Sequence, residues 1–191
     1  PRTAAAAFKS GKPWVLDPVG IGIGQLRSDL LLELKQYKPA IVRGNASEII
    51  ALASLWGIEA NACESSRPRG VDTTDTVEAA RDAAAALARY TGGAVAVSGK
   101  KDLVTDGEKV VYSEGGSELM EKVTGFGCSQ GGVLAVYATA TNPFTAALAA
   151  VAHYNVAGSR AAKVADAPAS FKTAFIDELY RATARDIADN P

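Results

Sequence analysis

Arg43, Asn45, Ser47 and Glu48 stand together in the stretch Arg-Gly-Asn-Ala-Ser-Glu. An arginine at that place could hold an anion with its planar fork of N–H donors, or pair with a surface acid. Asn45 and Glu48 are three residues apart, on neighbouring faces of one helical turn. That spacing admits two readings. Glu48 and the upstream Asp17 could order the shell of a hard cation such as Mg2+, which keeps several waters and takes one or two carboxylates plus phosphate oxygens. Alternatively Asn45 is a helix N-cap and Glu48 closes a capping box, and the spacing alone favours the cap.

A second stretch, Thr124-Gly125-Phe126-Gly127-Cys128, runs into a helical pattern. Unpaired N–H groups and the positive end of a helix dipole would face whatever sits there, and phosphate suits such a place. Its glycines let the main chain approach a ligand, and the same dipole would favour the Cys128 thiolate. The competing reading is a glycine-rich turn beside a small buried cysteine. Two further polar clusters, Asp17-Pro18-Val19-Gly20 and Ser98-Gly99-Lys100-Lys101-Asp102, share one property with these: each follows a predicted strand. In an open parallel sheet such loops converge on one edge, where ligands bind, although each singly is also an ordinary turn. Lys100 and Lys101 read as solvating their loop. His153, the only histidine, has no acid or nucleophile beside it in its helical stretch and reads as a packing or surface residue.

The elements that must position these residues follow from apolar patterning. Short apolar runs predict strands at 13–16, 40–42 and 93–97, a further strand is expected at 120–123 before the Thr124 turn, and a hairpin over 102–112 turns at Asp106-Gly107. Helical spacing and alanine richness predict helices at 3–9, 27–37, 46–56, 77–90, 129–140, 143–164 and 170–188. The polar region 57–74, which carries Cys63, is expected to be a surface connection whose threonines and aspartates cap the helix that follows. Alternating strands and helices with a helical end predict a single α/β domain over residues 1–191, a three-layer α/β/α arrangement around a mostly parallel central sheet.

Composition narrows the function classes. Twenty basic residues stand against 21 acidic ones, so no overall field recommends nucleic acid or an anionic membrane as a partner. The two cysteines form no CxxC pair, which argues against structural zinc. No apolar stretch approaches the roughly 20 residues of a membrane span, and residues 1–10 lack a signal-peptide core. A soluble protein of a reducing compartment, the cytoplasm, is expected. The chain opens on Pro1 and passes from a helical run straight into a buried strand, so upstream sequence is expected to be missing.

The series VLDPVGIGIGQLR at 15–27, RGNASEI at 43–49, GVDTT at 70–74, VAVSGKKDLVTDG at 95–107 and VTGFGCSQGG at 123–132 resembles hydroxyethylthiazole kinase, a ribokinase-like family, in order and spacing. The resemblance implies transfer of the ATP γ-phosphate to the primary hydroxyl of 4-methyl-5-(2-hydroxyethyl)thiazole, with Mg2+, in thiamine synthesis and salvage. It also implies a homotrimer with active sites at subunit interfaces. Position by position, Arg43 resembles the ATP-contacting arginine, Ser98 stands at a nucleotide-contacting threonine, and Thr124 and Gly127 belong to the phosphate-binding turn. Gly125 matches a glycine of the substrate pocket, and Asp17 and Glu48 resemble the acids that organise Mg2+. Cys128 stands where related ribokinase-like enzymes have an aspartate general base.

Three departures accompany the match. Ser98 keeps the hydroxyl of the usual threonine, whereas Phe126 replaces a small polar residue. The family's first strand and methionine-bearing substrate loop have no counterpart here, since Met120 does not match. Rival readings are a hydroxymethylpyrimidine or pyridoxal kinase, a nicotinamide-hydrate dehydratase, or a non-catalytic assembly subunit. The enzymes among them usually carry aspartate where Cys128 stands.

Overall fold

Alternation along the strands decides which helices cover which face of the sheet. In the computed structural model, which describes residues 1–58 and 77–190, the strands are β1 (Val15–Leu16), β2 (Ile41–Asn45), β3 (Ala94–Ser98), β4 (Asp102–Thr105) and β5 (Val110–Ser113). They lie in the order β1-β2-β3-β4-β5. β1, β2 and β3 pair in parallel, β4 pairs antiparallel with β3 and β5 antiparallel with β4, so β4 alone runs against the rest.

Successive side chains of a strand point to opposite faces. Val42, Val95, Val97 and Leu103 pack on one face against α3 (Ala46–Leu55) and α4 (Arg81–Thr91). Ile41, Ala94, Ala96 and Val104 pack on the other against α5 (Phe126–Ala138) and α6 (Pro143–Ala161). Both faces are covered, which gives the expected three-layer α/β/α arrangement. Small residues let α6 sit close: Ala146, Ala147 and Ala150 are fully buried. A third cluster, with Phe126, Tyr154, Phe171 and Phe175, joins α5 and α6 to α7 (Pro168–Arg181). The remaining helices are α1 (Arg2–Lys9), α2 (Gln25–Leu34) and α8 (Ala184–Ala188).

Several boundaries differ from expectation for identifiable reasons. Residues 120–123 are not a strand; a 3-10 turn spans Glu118–Lys122, capped by the Ser117 hydroxyl accepting from Leu119 N. The helix expected at 170–188 is two helices. Ala182 is extended, and Thr183 and Asp186 form a capping box that starts α8 afresh. The helix expected at 27–37 is α2 followed by a 3-10 turn over Lys35–Tyr37. The helix expected from Val77 begins regularly only at Arg81, without a side-chain cap. Residues 59–74 of the polar connection, Cys63 and the 70–74 stretch among them, fall outside the described residues. Among the described residues no helix is long and apolar enough to cross a membrane.

Candidate functional site

The carboxyl ends of β1, β2 and β3 lie side by side, because Leu16 pairs with Val42 and Asn45 with Ser98. This register brings the loops after the three strands together at the head of α5. Arg43, within β2 and only 7% exposed, is the centre of the arrangement. Its Nη1 donates to Asp17 Oδ2 at 3.3 Å, its Nη2 to Ser98 Oγ at 2.9 Å, and its Nε to Gln130 Oε1 at 3.0 Å. A guanidinium has five N–H groups, so one remains on each terminal nitrogen.

Those two nitrogens face the first turn of α5. A Cβ placed on Gly127 would stand 3.1 Å from both Nη1 and Nη2, tighter than ordinary contact, so glycine is what lets the backbone meet the guanidinium. Gly125 is the N-cap, with φ of 90°, in the left-handed region. Phe126 N bonds back to Val123 O and Ser129 N to Gly125 O, leaving the N–H groups of Gly127 and Cys128 at the helix head. Thr124, Gly125, Gly127 and Cys128 are all exposed there. The competing reading of a buried cysteine is therefore set aside. The turn is held from below by Tyr154, whose hydroxyl donates to Phe126 O at 2.7 Å and meets Ser129 Oγ at 2.6 Å.

The two expected metal acids differ. Glu48 closes the capping box: its Oε2 accepts from Asn45 N at 2.9 Å while Asn45 Oδ1 accepts from Glu48 N at 2.9 Å. Its Oε1 also accepts from Gly20 N at 3.4 Å, tying α3 to the loop after β1. Asp17 Oδ1, by contrast, is the one buried side-chain polar atom among the described residues that finds no hydrogen-bond partner. Burial pushes the Asp17 carboxyl above its ordinary value; Arg43 opposes that and the Glu48 charge adds to it. The cap and the cation are thus compatible: Glu48 retains lone pairs, and Asp17 has a whole oxygen to offer. No group of three potential ligands gathers among the described residues. The fit is to an ion that keeps waters and borrows phosphate oxygens.

Gln130 was not singled out from sequence, because nothing local marks a glutamine 87 residues from Arg43 as its partner. Lys101 pairs with Glu114 at 2.7 Å, as a solvated loop residue would. His153 bridges helices: its Nδ1 accepts from the Tyr137 hydroxyl at 3.0 Å and its Nε2 donates to Leu179 O at 2.8 Å, which is packing. A cleft of about 490 Å³ between β5, α6 and α8 contains none of the expected site residues.

The model of the hydroxyethylthiazole kinase family matches residues 2–185. Hydroxyethylthiazole kinase of Bifidobacterium longum is 46% identical over 94% of this chain and 62% of its own length. That of Bifidobacterium adolescentis is 47% identical over 98% and 67%, and that of Cereibacter sphaeroides 45% over 93% and 64%. The chain thus spans roughly two thirds of the length of these relatives. Among solved structures, the hydroxyethylthiazole kinase protein of Pyrococcus horikoshii superposes with a TM-score of 0.83 at 30% identity, covering 98% of this chain and 67% of that one. Adenosine kinase from Schistosoma mansoni, at 17% identity and a TM-score of 0.54 over 87% of this chain and 46% of that one, shares the ribokinase-like fold.

Proposed function

The chain belongs to the hydroxyethylthiazole kinase family, and we propose that the protein carrying it moves the γ-phosphoryl group of ATP to the primary hydroxyl of 4-methyl-5-(2-hydroxyethyl)thiazole, serving thiamine synthesis and salvage. The observation that carries this reading is the meeting of Arg43, Asp17 and Ser98 with the head of α5. Phosphoryl transfer asks a protein mainly for positioning and charge stabilisation. Arg43 and the turn from Thr124 to the head of α5, with the open N–H groups of Gly127 and Cys128, would hold the nucleotide phosphates, with Ser98 fixing the guanidinium plane. Asp17 and Glu48 would hold Mg2+ through its waters. That ion, when bound, neutralises charge on the phosphate oxygens. The acceptor alcohol would lie against Gly125, with the exposed Cys128 beside its hydroxyl as proton acceptor.

A thiol matches an alcohol proton poorly, so alignment and charge would supply most of the rate. A homotrimer with interfacial active sites fits the apolar side chains of Val19, Ile23 and Leu26, exposed in the stretch of chain that follows Asp17. Sedimentation velocity of the intact protein tests it. The exposed Cys128 thiol suits the reducing cytoplasm. The activity itself is tested by ADP release from MgATP that depends on the thiazole alcohol. Turnover of hydroxymethylpyrimidine or pyridoxal in its place would overturn the substrate, and absence of nucleotide binding would overturn the kinase.

A further inference from the structure

Behind the Arg43 site lies a second polar cluster that the proposed reaction does not use. Asp102, at the start of β4, is 7% exposed, and Asn155, on α6, is 4% exposed. Asp102 Oδ1 accepts from Gly99 N at 2.9 Å and so closes the turn that leaves Ser98. Its Oδ2 accepts from Asn155 Nδ2 at 3.0 Å, and the same nitrogen donates to Ser113 Oγ at 3.2 Å. One turn along α6, Ser159 Oγ accepts from Gly116 N at 2.9 Å and donates to Gly116 O at 3.3 Å. Asn155 O also accepts from Gly116 N at 3.0 Å. A single face of α6 therefore grips two chain segments. One is the turn after Ser98; the other is the segment after β5 that runs into the Gly125 cap of α5.

We propose that Asp102 and Asn155 are positioning residues: through Gly99, Ser113 and Gly116 they hold the Ser98 turn and the approach to α5 at the spacing a nucleotide phosphate needs between Arg43 and the helix head. The inference rests on the kinase reading above. Asp102 is buried, and each of its oxygens accepts a bond from the chain it holds, Oδ1 from Gly99 and Oδ2 from Asn155, so its role is to fix those segments rather than to meet the phosphate. Its work is done by accepting hydrogen bonds, not by carrying charge.

That distinction makes the proposal testable. Asp102→Ala removes both bonds, whereas Asp102→Asn keeps an acceptor for Gly99 N and, with the Asn155 amide turned over, keeps the bridge to α6. In the intact protein, Asp102→Ala is expected to raise KM for MgATP by about tenfold with kcat little changed, and Asp102→Asn to stay within about threefold of the parent. Ser159→Ala, which leaves the core intact, gives a smaller rise in the same parameter. Amide exchange at Gly99 and Gly116 in ligand-free protein is expected to quicken in Asp102→Ala and to return to the parent rate in Asp102→Asn.

An Asp102→Ala protein that melts earlier but keeps its KM for MgATP would reduce the pair to core packing and overturn the proposal. An Asp102→Asn protein as impaired as Asp102→Ala would overturn it too, by making the charge the active feature. If Asp102→Ala does not fold, Asp102→Asn and Ser159→Ala decide the matter by the same measurements. A parent protein that binds no MgATP would fail the kinase reading, and the exchange rates at Gly99 and Gly116 would still decide whether the pair anchors both segments.

Discussion

Two buried polar clusters sit side by side at the carboxyl edge of this sheet, one built around a cation and the other around an anion. Around Arg43 the hydrogen bonding is incomplete: two guanidinium N–H groups face the head of α5, and Asp17 Oδ1 has no partner. Around Asp102 it closes: both carboxylate oxygens accept, and the Asn155 amide nitrogen donates twice. A buried polar atom without a partner costs about 1–3 kcal/mol, so an incomplete cluster persists where a ligand completes it. A closed cluster is instead architecture. The open one is where a ligand would complete the bonding.

The largest expected effect comes from removing the cation itself. Arg43→Ala leaves the Asp17 carboxylate, whose side chain is 16% exposed, without its ion-pair partner. Breaking such a pair by deleting one member costs about 3 kcal/mol of stability. Nucleotide affinity should fall as well, by about 1.5–3 kcal/mol for a lost charge-assisted bond. Chemical denaturation and ATP titration measure the two losses separately. Pairing the change with Asp17→Asn should return much of the stability and none of the affinity, which separates the two roles.

Cys128 comes next. Its exposure means that Cys128→Asp buries no charge, and an acid in the first turn of α5 is favoured by the helix dipole. Cys128→Asp is expected to keep or raise turnover of the thiazole alcohol, since a carboxylate near neutral pH is ready to accept the proton. Cys128→Ala should lower turnover by about a hundredfold while leaving it measurable. Equal turnover of Cys128→Ala and parent would remove the thiol from the chemistry.

Gly127→Ala probes the gap between the two halves of the open cluster. Alanine is the better helix residue, which favours the substitution by up to about 1 kcal/mol. Its Cβ, however, falls 3.1 Å from both terminal nitrogens of Arg43, which must then shift. Nucleotide affinity is expected to drop about tenfold, with a loss of stability far smaller than that of Arg43→Ala because the guanidinium need give by only a few tenths of an ångström. A loss of stability as large as that of Arg43→Ala would mean that α5 itself had moved.

How much of this could be read from the sequence depended on distance along the chain. Asp17, Arg43, Ser98 and the Thr124–Cys128 turn each follow a recognisable break in apolar patterning, and parallel pairing of β1, β2 and β3 brings the first three of them to one edge. The capping box at Asn45 and Glu48 is a local pattern and forms as spaced. Gln130 and Asn155 carry no such mark, because their partners lie 87 and 53 residues away. The expected strand at 120–123 failed because Met120 and Val123 enclose two charged residues, Glu121 and Lys122, a pattern too short and too polar to tell a strand from a turn. The break before α8 did carry a signal, Thr183 three residues before Asp186, but the surrounding helix-favouring residues hid it.

The smallest effect expected is also the finest test of the contrast. Burial raises the Asp102 carboxyl above its ordinary value, against the opposing bonds from Gly99 and Asn155 and the more distant charge of Arg43. A carboxyl raised on folding holds its proton more tightly in the native state than in the unfolded chain. Its contribution to stability is therefore full below the ordinary carboxylate value and is lost as pH rises through the folded one. Asp106 and Asp186, lowered by hydrogen bonds from neighbouring backbone, act in the opposite sense, gaining stability as pH rises. The absolute pH profile thus mixes both signs, and the informative quantity is the difference between parent and Asp102→Asn. That difference should grow in favour of Asp102→Asn from acid toward neutral pH and then level off, because asparagine never meets the cost of ionising in the core. A constant difference across the range would mean that Asp102 titrates as it does in the unfolded chain, and the closed cluster would then hold its anion without strain.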